Sequence, residues 1–245
     1  MTMVLFLTSS PYVIGADRAL LSNDNEFIDR IRSVLPPYPR ALFVPANPED
    51  RGGTCRFGAD TAAAFSEAGI PFQSYHILDG CNAQDAQALI GQSNLILLSG
   101  GHVPTQNAFF REIGLRELLE GFSGVIVGIS AGSMNCAEYV YAQPEEPGET
   151  APDYERWLPG LALTDVNLLP HYQKVKDSIL DGQRLFEDVT YSDSFGNDFF
   201  ALPDGSYFYQ DDEGLLLCGE GYRLHDGILE QLTTNGQVLD MAELD

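Results

Sequence analysis

The chain has 245 residues, 44% of them hydrophobic, and a formal net charge of −23 from 36 acidic and 13 basic side chains. That apolar content excludes a disordered chain, and the length suits one α/β domain over residues 1–245. The charge argues against nucleic acid or an anionic membrane as partner, and no apolar run approaches membrane-spanning length.

The four cysteines, Cys55, Cys81, Cys136 and Cys218, show no Cys-x-x-Cys spacing. They predict neither disulfides nor a zinc site, and they fit reduced thiols in a cytoplasm. The apolar start of the chain has no basic segment and is too short for a secretion signal, so residues 4–8 read as a first strand.

Helical spacing of Phe27, Ile28 and Ile31 predicts a helix over 25–33, stopped by Pro36-Pro37. A second strand is expected over 41–45, then a polar loop over 47–58 and a helix over 59–68 closed by Gly69. A third strand over 72–78 and a short helix over 85–90 follow. Residues 95–98 read as a buried strand that ends in Ser99-Gly100-Gly101-His102. The helix expected over 105–120 carries two apolar faces that are out of phase across Gly114, which predicts a break there. Strands alternating with helices at this rate predict an α/β fold, with a mainly parallel sheet covered by helices on both faces.

The next stretch carries the chemistry. Val125-Ile126-Val127 reads as a buried strand, Gly128-Ile129-Ser130-Ala131-Gly132 as a turn, and the residues beyond as a helix with Met134, Ala137, Val140 and Tyr141 on one face. Small-x-Ser-x-small between strand and helix is the pattern of a nucleophile elbow: the glycines permit the sharp turn and leave the serine exposed at a helix N-terminus. The bland alternative is a turn whose serine merely caps the helix. A base and an orienting acid elsewhere in the chain would decide for catalysis.

Residues 142–160 are rich in proline and acids. They read as a solvated loop, with a lid or specificity loop as the sharper alternative. A strand over 161–169 leads into Pro170-His171-Tyr172, and 179–189 reads as helix. From residue 199 onward short β runs at 207–209, 215–217, 222–224 and 228–232 are separated by Asp-Gly and Glu-Gly turns, giving hairpins near the C-terminus.

Of the four histidines, His76 lies inside a predicted strand and His225 in a His-Asp-Gly turn. His102 follows two glycines at a strand end, where it could touch substrate. His171 ends a strand behind a stiffening proline and is the favoured base, reaching Ser130 along one sheet edge. The orienting acid is expected at Asp204, within Pro203-Asp204-Gly205, with the acids of the 145–155 loop as competitors. The backbone N–H groups of Gly101 and Ala131 would form an oxyanion hole. An esterase of the α/β-hydrolase type would instead use Ser130, a middle acid and His225. A third reading is a degenerate ligand-binding relative whose acidic loop blocks the site.

Four segments in order, Leu97-Leu-Ser-Gly-Gly101, Gly128-Ile-Ser-Ala-Gly132, Leu169-Pro-His-Tyr172 and Leu202-Pro-Asp-Gly205, resemble the dipeptidase E and cyanophycinase family of serine peptidases. The resemblance implies a glutamine-amidotransferase-like fold and acyl-enzyme hydrolysis of short peptides, without metal or organic cofactor. By position it makes Ser130 the nucleophile, His171 the general base and then acid, and Asp204 the orienting acid. Two departures bear on substrate. His102 stands where such members carry a small polar residue, and the segment that presents an arginine to a substrate carboxylate reads Leu180-Asp-Gly-Gln-Arg184. Asp181 would repel that carboxylate, leaving Arg184, Lys174 or Lys176 to supply the lost charge.

Overall fold

Val4–Thr8 (β1), Arg40–Val44 (β2), Ser74–Ile77 (β3), Leu95–Leu98 (β4) and Val125–Ile129 (β5) run parallel in one sheet, in the spatial order β1-β5-β4-β2-β3. The structure, a computed structural model, describes residues 2–244. Beyond β1 the sheet is extended by three antiparallel strands, Tyr207–Gln210 (β6), Leu215–Cys218 (β7) and Val238–Asp240 (β8).

The helices are Phe27–Val34 (α1), Arg51–Glu67 (α2), Ala86–Gln92 (α3), Val103–Glu112 (α4), Leu115–Leu118 (α5), Ala131–Met134 (α6) and Tyr172–Val175 (α7). Because successive strand residues face opposite ways, β1 feeds two cores. Val4 and Phe6 pack with α1 and α2, while Leu5 and Leu7 pack with α3, α4 and α5. Each buried Phe or Leu contributes roughly 1.5–3 kcal/mol by leaving water, which holds helices against both faces.

A second, four-stranded sheet has the order Ile228–Thr233, Gly221–His225, Asp198–Ala201, Leu168–Leu169. Its last two strands are parallel, with Leu169 opposite Ala201.

Four segments differ from the sequence expectation. Helix α2 begins at Arg51, inside the expected loop over 47–58. Gly52, Gly53 and Gly58 each cost about 1 kcal/mol of helix propensity relative to Ala and disguise it. The Asp50 carboxylate caps the start by accepting the Gly53 N–H at 2.9 Å, and Tyr75 Oη donates to the Gly58 carbonyl at 2.7 Å. Second, α6 stops at Met134, and Tyr139–Tyr141 is a strand paired with Trp157–Pro159. The Tyr-Val-Tyr run suits a pleated surface, and Tyr141 stacks on Phe199 at 4.4 Å between ring centres.

Third, the strand expected over 161–169 is confined to Leu168–Leu169, with Thr164 making only an isolated bridge to Ala137. Fourth, the helix expected over 179–189 is a hairpin, Ile179–Leu180 with Gln183–Arg184, followed by a π-helical turn over Leu185–Thr190. Asp181 and Gly182, at φ of 51° and 81°, close that hairpin as a two-residue turn. The break at Gly114 is present between α4 and α5.

Candidate active site

Strand β5 ends at Ile129, and Ser130 follows with φ 52° and ψ −112°. For a residue with a Cβ such a conformation costs about 1–3 kcal/mol and survives only where neighbours hold it. Here the Ser130 N–H donates to the Thr8 carbonyl at 2.9 Å, and Ser133 Oγ donates to the same oxygen at 2.8 Å. Thr8 Oγ1 in turn donates to the Gly128 carbonyl at 2.8 Å. The small residues on either side are required by space. A Cβ on Gly132 would lie 2.2 Å from the Leu98 carbonyl oxygen, and one on Gly128 would lie 2.7 Å from the Ser133 nitrogen.

His171 and Asp204 arrive from the second sheet. Their strands, Leu168–Leu169 and Asp198–Ala201, are parallel neighbours in register, so the two Pro-containing exits run side by side. The expectation that His171 shares a sheet edge with Ser130 is therefore corrected: the two meet across the gap between sheets. His171 Nε2 lies 3.0 Å from Ser130 Oγ, and Nδ1 lies 2.6 Å from Asp204 Oδ1. Since an ionised carboxylate only accepts, Nδ1 carries a proton, and in the neutral ring Nε2 is the acceptor that faces the serine hydroxyl.

The Asp204 side chain is 1% exposed. Burial works to raise its pKa, but hydrogen bonds and charge from His171 and Lys174 outweigh it and hold the carboxyl well below the usual range. Lys174 Nζ donates to Oδ2 at 2.6 Å. Two further groups, unread in the sequence, complete the cradle. Ser9, just beyond β1, donates from Oγ to Asp204 Oδ1 at 3.0 Å and accepts the His171 N–H at 2.7 Å. Gln173 Oε1 accepts the Asp204 N–H at 3.1 Å. The signal available for Ser9 was a polar residue ending a strand, which gains meaning only once β1 is known to lie beside β5.

The N–H groups of Gly101 and Ala131 have no hydrogen-bond partner among the described residues. The glycine-rich loop passes close to the serine: a Cβ on Gly100 would come 3.3 Å from the Ser130 Cβ. A pocket of about 280 Å³ opens onto Ser130, walled by Val103, Met134, Val175, Ile179, Leu180 and Leu185. The segment Gln143-Pro144-Glu145 closes one side, so part of the expected loop over 142–160 borders the site without sealing it. Ser130 keeps partial exposure.

Other sequence candidates lie differently. His102 lines a neighbouring pocket with its ring held by Thr105 Oγ1 and Glu149 Oε1, each at 2.8 Å, so it faces the acidic loop rather than this pocket. Arg184 is bonded to Asp188 and does not line the pocket. Lys176 sits 5.9 Å above the Tyr172 ring. His225, the base of the esterase reading, is tied to Asn197 and Asp198, and His76 is exposed on edge strand β3. Ligand atoms of His102, Glu146 and Glu149 come within 4.8 Å of one another, and His102 and Glu149 are joined there by a hydrogen bond. Among the described residues no helix is long and apolar enough to cross a membrane.

A strained serine after a central parallel strand, with a histidine and a buried carboxylate behind it, is the set of groups that a serine hydrolase needs. The chain belongs to peptidase family S51, whose sequence model matches residues 5–217, and is a serine peptidase of the dipeptidase E family. The fold is similar to the crystal structure of a candidate peptidase E protein from Listeria monocytogenes EGD-e. That pair shares 15% identity and a TM-score of 0.60 over 95% of this chain and 100% of the other. No curated protein matches the sequence.

Proposed function

We propose that the protein hydrolyses short peptides through an acyl-enzyme on Ser130. His171 takes the hydroxyl proton as Ser130 Oγ attacks the scissile carbonyl, and returns it to the leaving amine. Asp204 holds the imidazole in the productive tautomer and offsets its positive charge. The developing oxyanion is received by the Gly101 and Ala131 N–H groups. Water, deprotonated by His171, then releases the acid product. The exposed thiols of Cys55 and Cys81 fit a reducing compartment, in keeping with action in the cytoplasm.

The observation that carries this reading is the chain of contacts from Ser130 Oγ through His171 to Asp204, at 3.0 and 2.6 Å. Both links are within the range that proton transfer requires. The test is Ser130→Ala in purified protein against a dipeptide panel, paired with fluorophosphonate labelling of the wild type. The expected result is loss of hydrolysis and labelling at Ser130. Undiminished hydrolysis by the variant would refute the assignment.

A further inference from the structure

The pocket beside Ser130 has a chemical bias. Its walls are mostly apolar, with Gln143 and Ser178 as uncharged polar lining residues, and Ile179 is 70% exposed. Its one ionisable lining residue besides His171 is Glu145, at the rim, and no lysine or arginine lines it. The cations that the sequence offered for it point elsewhere: Lys174 pairs with Asp204, Arg184 pairs with Asp188, and Lys176 lies over the face of Tyr172.

Glu145 is held in place by its neighbours. The N–H groups of Glu145 and Glu146 donate to Glu149 Oε2 at 2.8 and 2.9 Å, and Glu149 Oε1 reaches His102 Nε2 at 2.8 Å. Farther along, Gly148 N–H and Thr150 Oγ1 both donate to Asp181 Oδ2 at 2.9 Å, which ties the same strap to the hairpin bearing Ile179 and Leu180. The Glu145 carboxylate itself has no hydrogen-bond partner among the described residues. Burial is the main cause that raises its proton affinity, and the like charges of Glu149 and Glu146 add to it.

We propose that Glu145 is a specificity-determining residue that receives a cationic group of the substrate, while the apolar wall from Val103 to Leu185 takes an uncharged side chain. The substrate class is then a short peptide with an apolar residue on the acyl side and an ammonium nearby, and an acidic residue is rejected at that place. This rests on the peptidase reading of Ser130. A volume of about 280 Å³ suits one side chain, not an extended peptide. The ammonium is either the free N-terminus of the acyl-side residue or a basic side chain.

The experiment measures KM and kcat of wild type and Glu145→Gln on Leu-Gly, N-acetyl-Leu-Gly, N-acetyl-Lys-Leu-Gly and Asp-Gly. If the N-terminus is the cation, Glu145→Gln raises KM for Leu-Gly about tenfold with kcat nearly unchanged, and leaves N-acetyl-Leu-Gly unaffected. If a side chain is the cation, N-acetyl-Lys-Leu-Gly shows that rise instead. Asp-Gly is the poorest substrate in either case. Ser130-dependent hydrolysis with KM values indifferent to Glu145→Gln, or a preference for Asp-Gly, overturns this inference and leaves the peptidase reading standing. If no peptide turns over, protection of Ser130 from fluorophosphonate by leucinamide or by N-acetyl-Lys-leucinamide, lost in Glu145→Gln, supports it, and equal protection of both proteins by both compounds overturns it. Failure of both hydrolysis and labelling overturns the two together.

Discussion

Ser9→Ala tests whether the site depends on a residue that never touches substrate. Ser9 is fully buried and makes two hydrogen bonds, to the His171 N–H at 2.7 Å and to Asp204 Oδ1 at 3.0 Å. Removing the hydroxyl orphans the His171 N–H, at about 1–3 kcal/mol for a buried donor. The Asp204 oxygen keeps its bond to Nδ1, so the second loss adds little. A total near 2 kcal/mol corresponds to a fall in Tm of about 4–8 °C in a protein of this size. His171 stands at φ 58°, and the lost bond is one of those that keep it there. A ring displaced by about 1 Å from Ser130 would lower kcat about 100-fold with KM nearly constant. Thermal melts and steady-state kinetics on one preparation read both quantities. A variant with unchanged Tm and unchanged kcat would refute the view that Ser9 holds the base.

Gly132→Ala should abolish activity and lower soluble yield, because the added carbon would lie 2.2 Å from the Leu98 carbonyl oxygen; a native far-UV spectrum with full activity would contradict this. Asp204→Asn should lose activity at neutral pH and also be less stable than wild type. The folded-state pKa of Asp204 is lowered from 3.8, so its stabilising contribution is complete above that value and disappears as pH falls through the lower folded-state value. Urea titrations should therefore show a constant stability deficit above about pH 5 that narrows in stronger acid; a deficit that widens there would be the wrong sign. Thiol reagents should modify Cys55 and Cys81 quickly, whereas Cys136, buried and with its pKa raised by that burial, reacts only on unfolding. Rapid native labelling of Cys136, followed by peptide mass analysis, would contradict the packing around α6.

The sheet and the tight turn at Ser130 were legible because they are written locally. Continuous apolar runs such as Leu95–Leu98, bounded by turn residues, suit a strand covered on both faces, and Gly128-x-Ser130-x-Gly132 encodes a turn in which a larger residue at either glycine would collide with its neighbours. The segments that differed are those in which distant packing outweighed local preference. Arg51–Glu67 is helical despite three glycines because Asp50 caps it and Tyr75 closes on Gly58. Tyr139–Tyr141 leaves the helix because Trp157–Pro159 offers it a partner strand and Phe199 a stacking surface.

The residue types of the site, a flanked serine, a histidine after proline and an aspartate before glycine, are set by the order of the chain alone. What only the tertiary structure decided is which of them meet, and which cations remain free. Ser9 reaches His171 because β1 lies beside β5, and Asp204 reaches it because two strands far apart in the chain are neighbours in a second sheet. Arg184 and Lys174, interchangeable as positive charges in the sequence, are distinguished by the carboxylates they find, Asp188 and Asp204. Hydrogen bonds act over about 3 Å, and a distance of that kind between residues over 160 apart is a property of packing that local sequence does not carry.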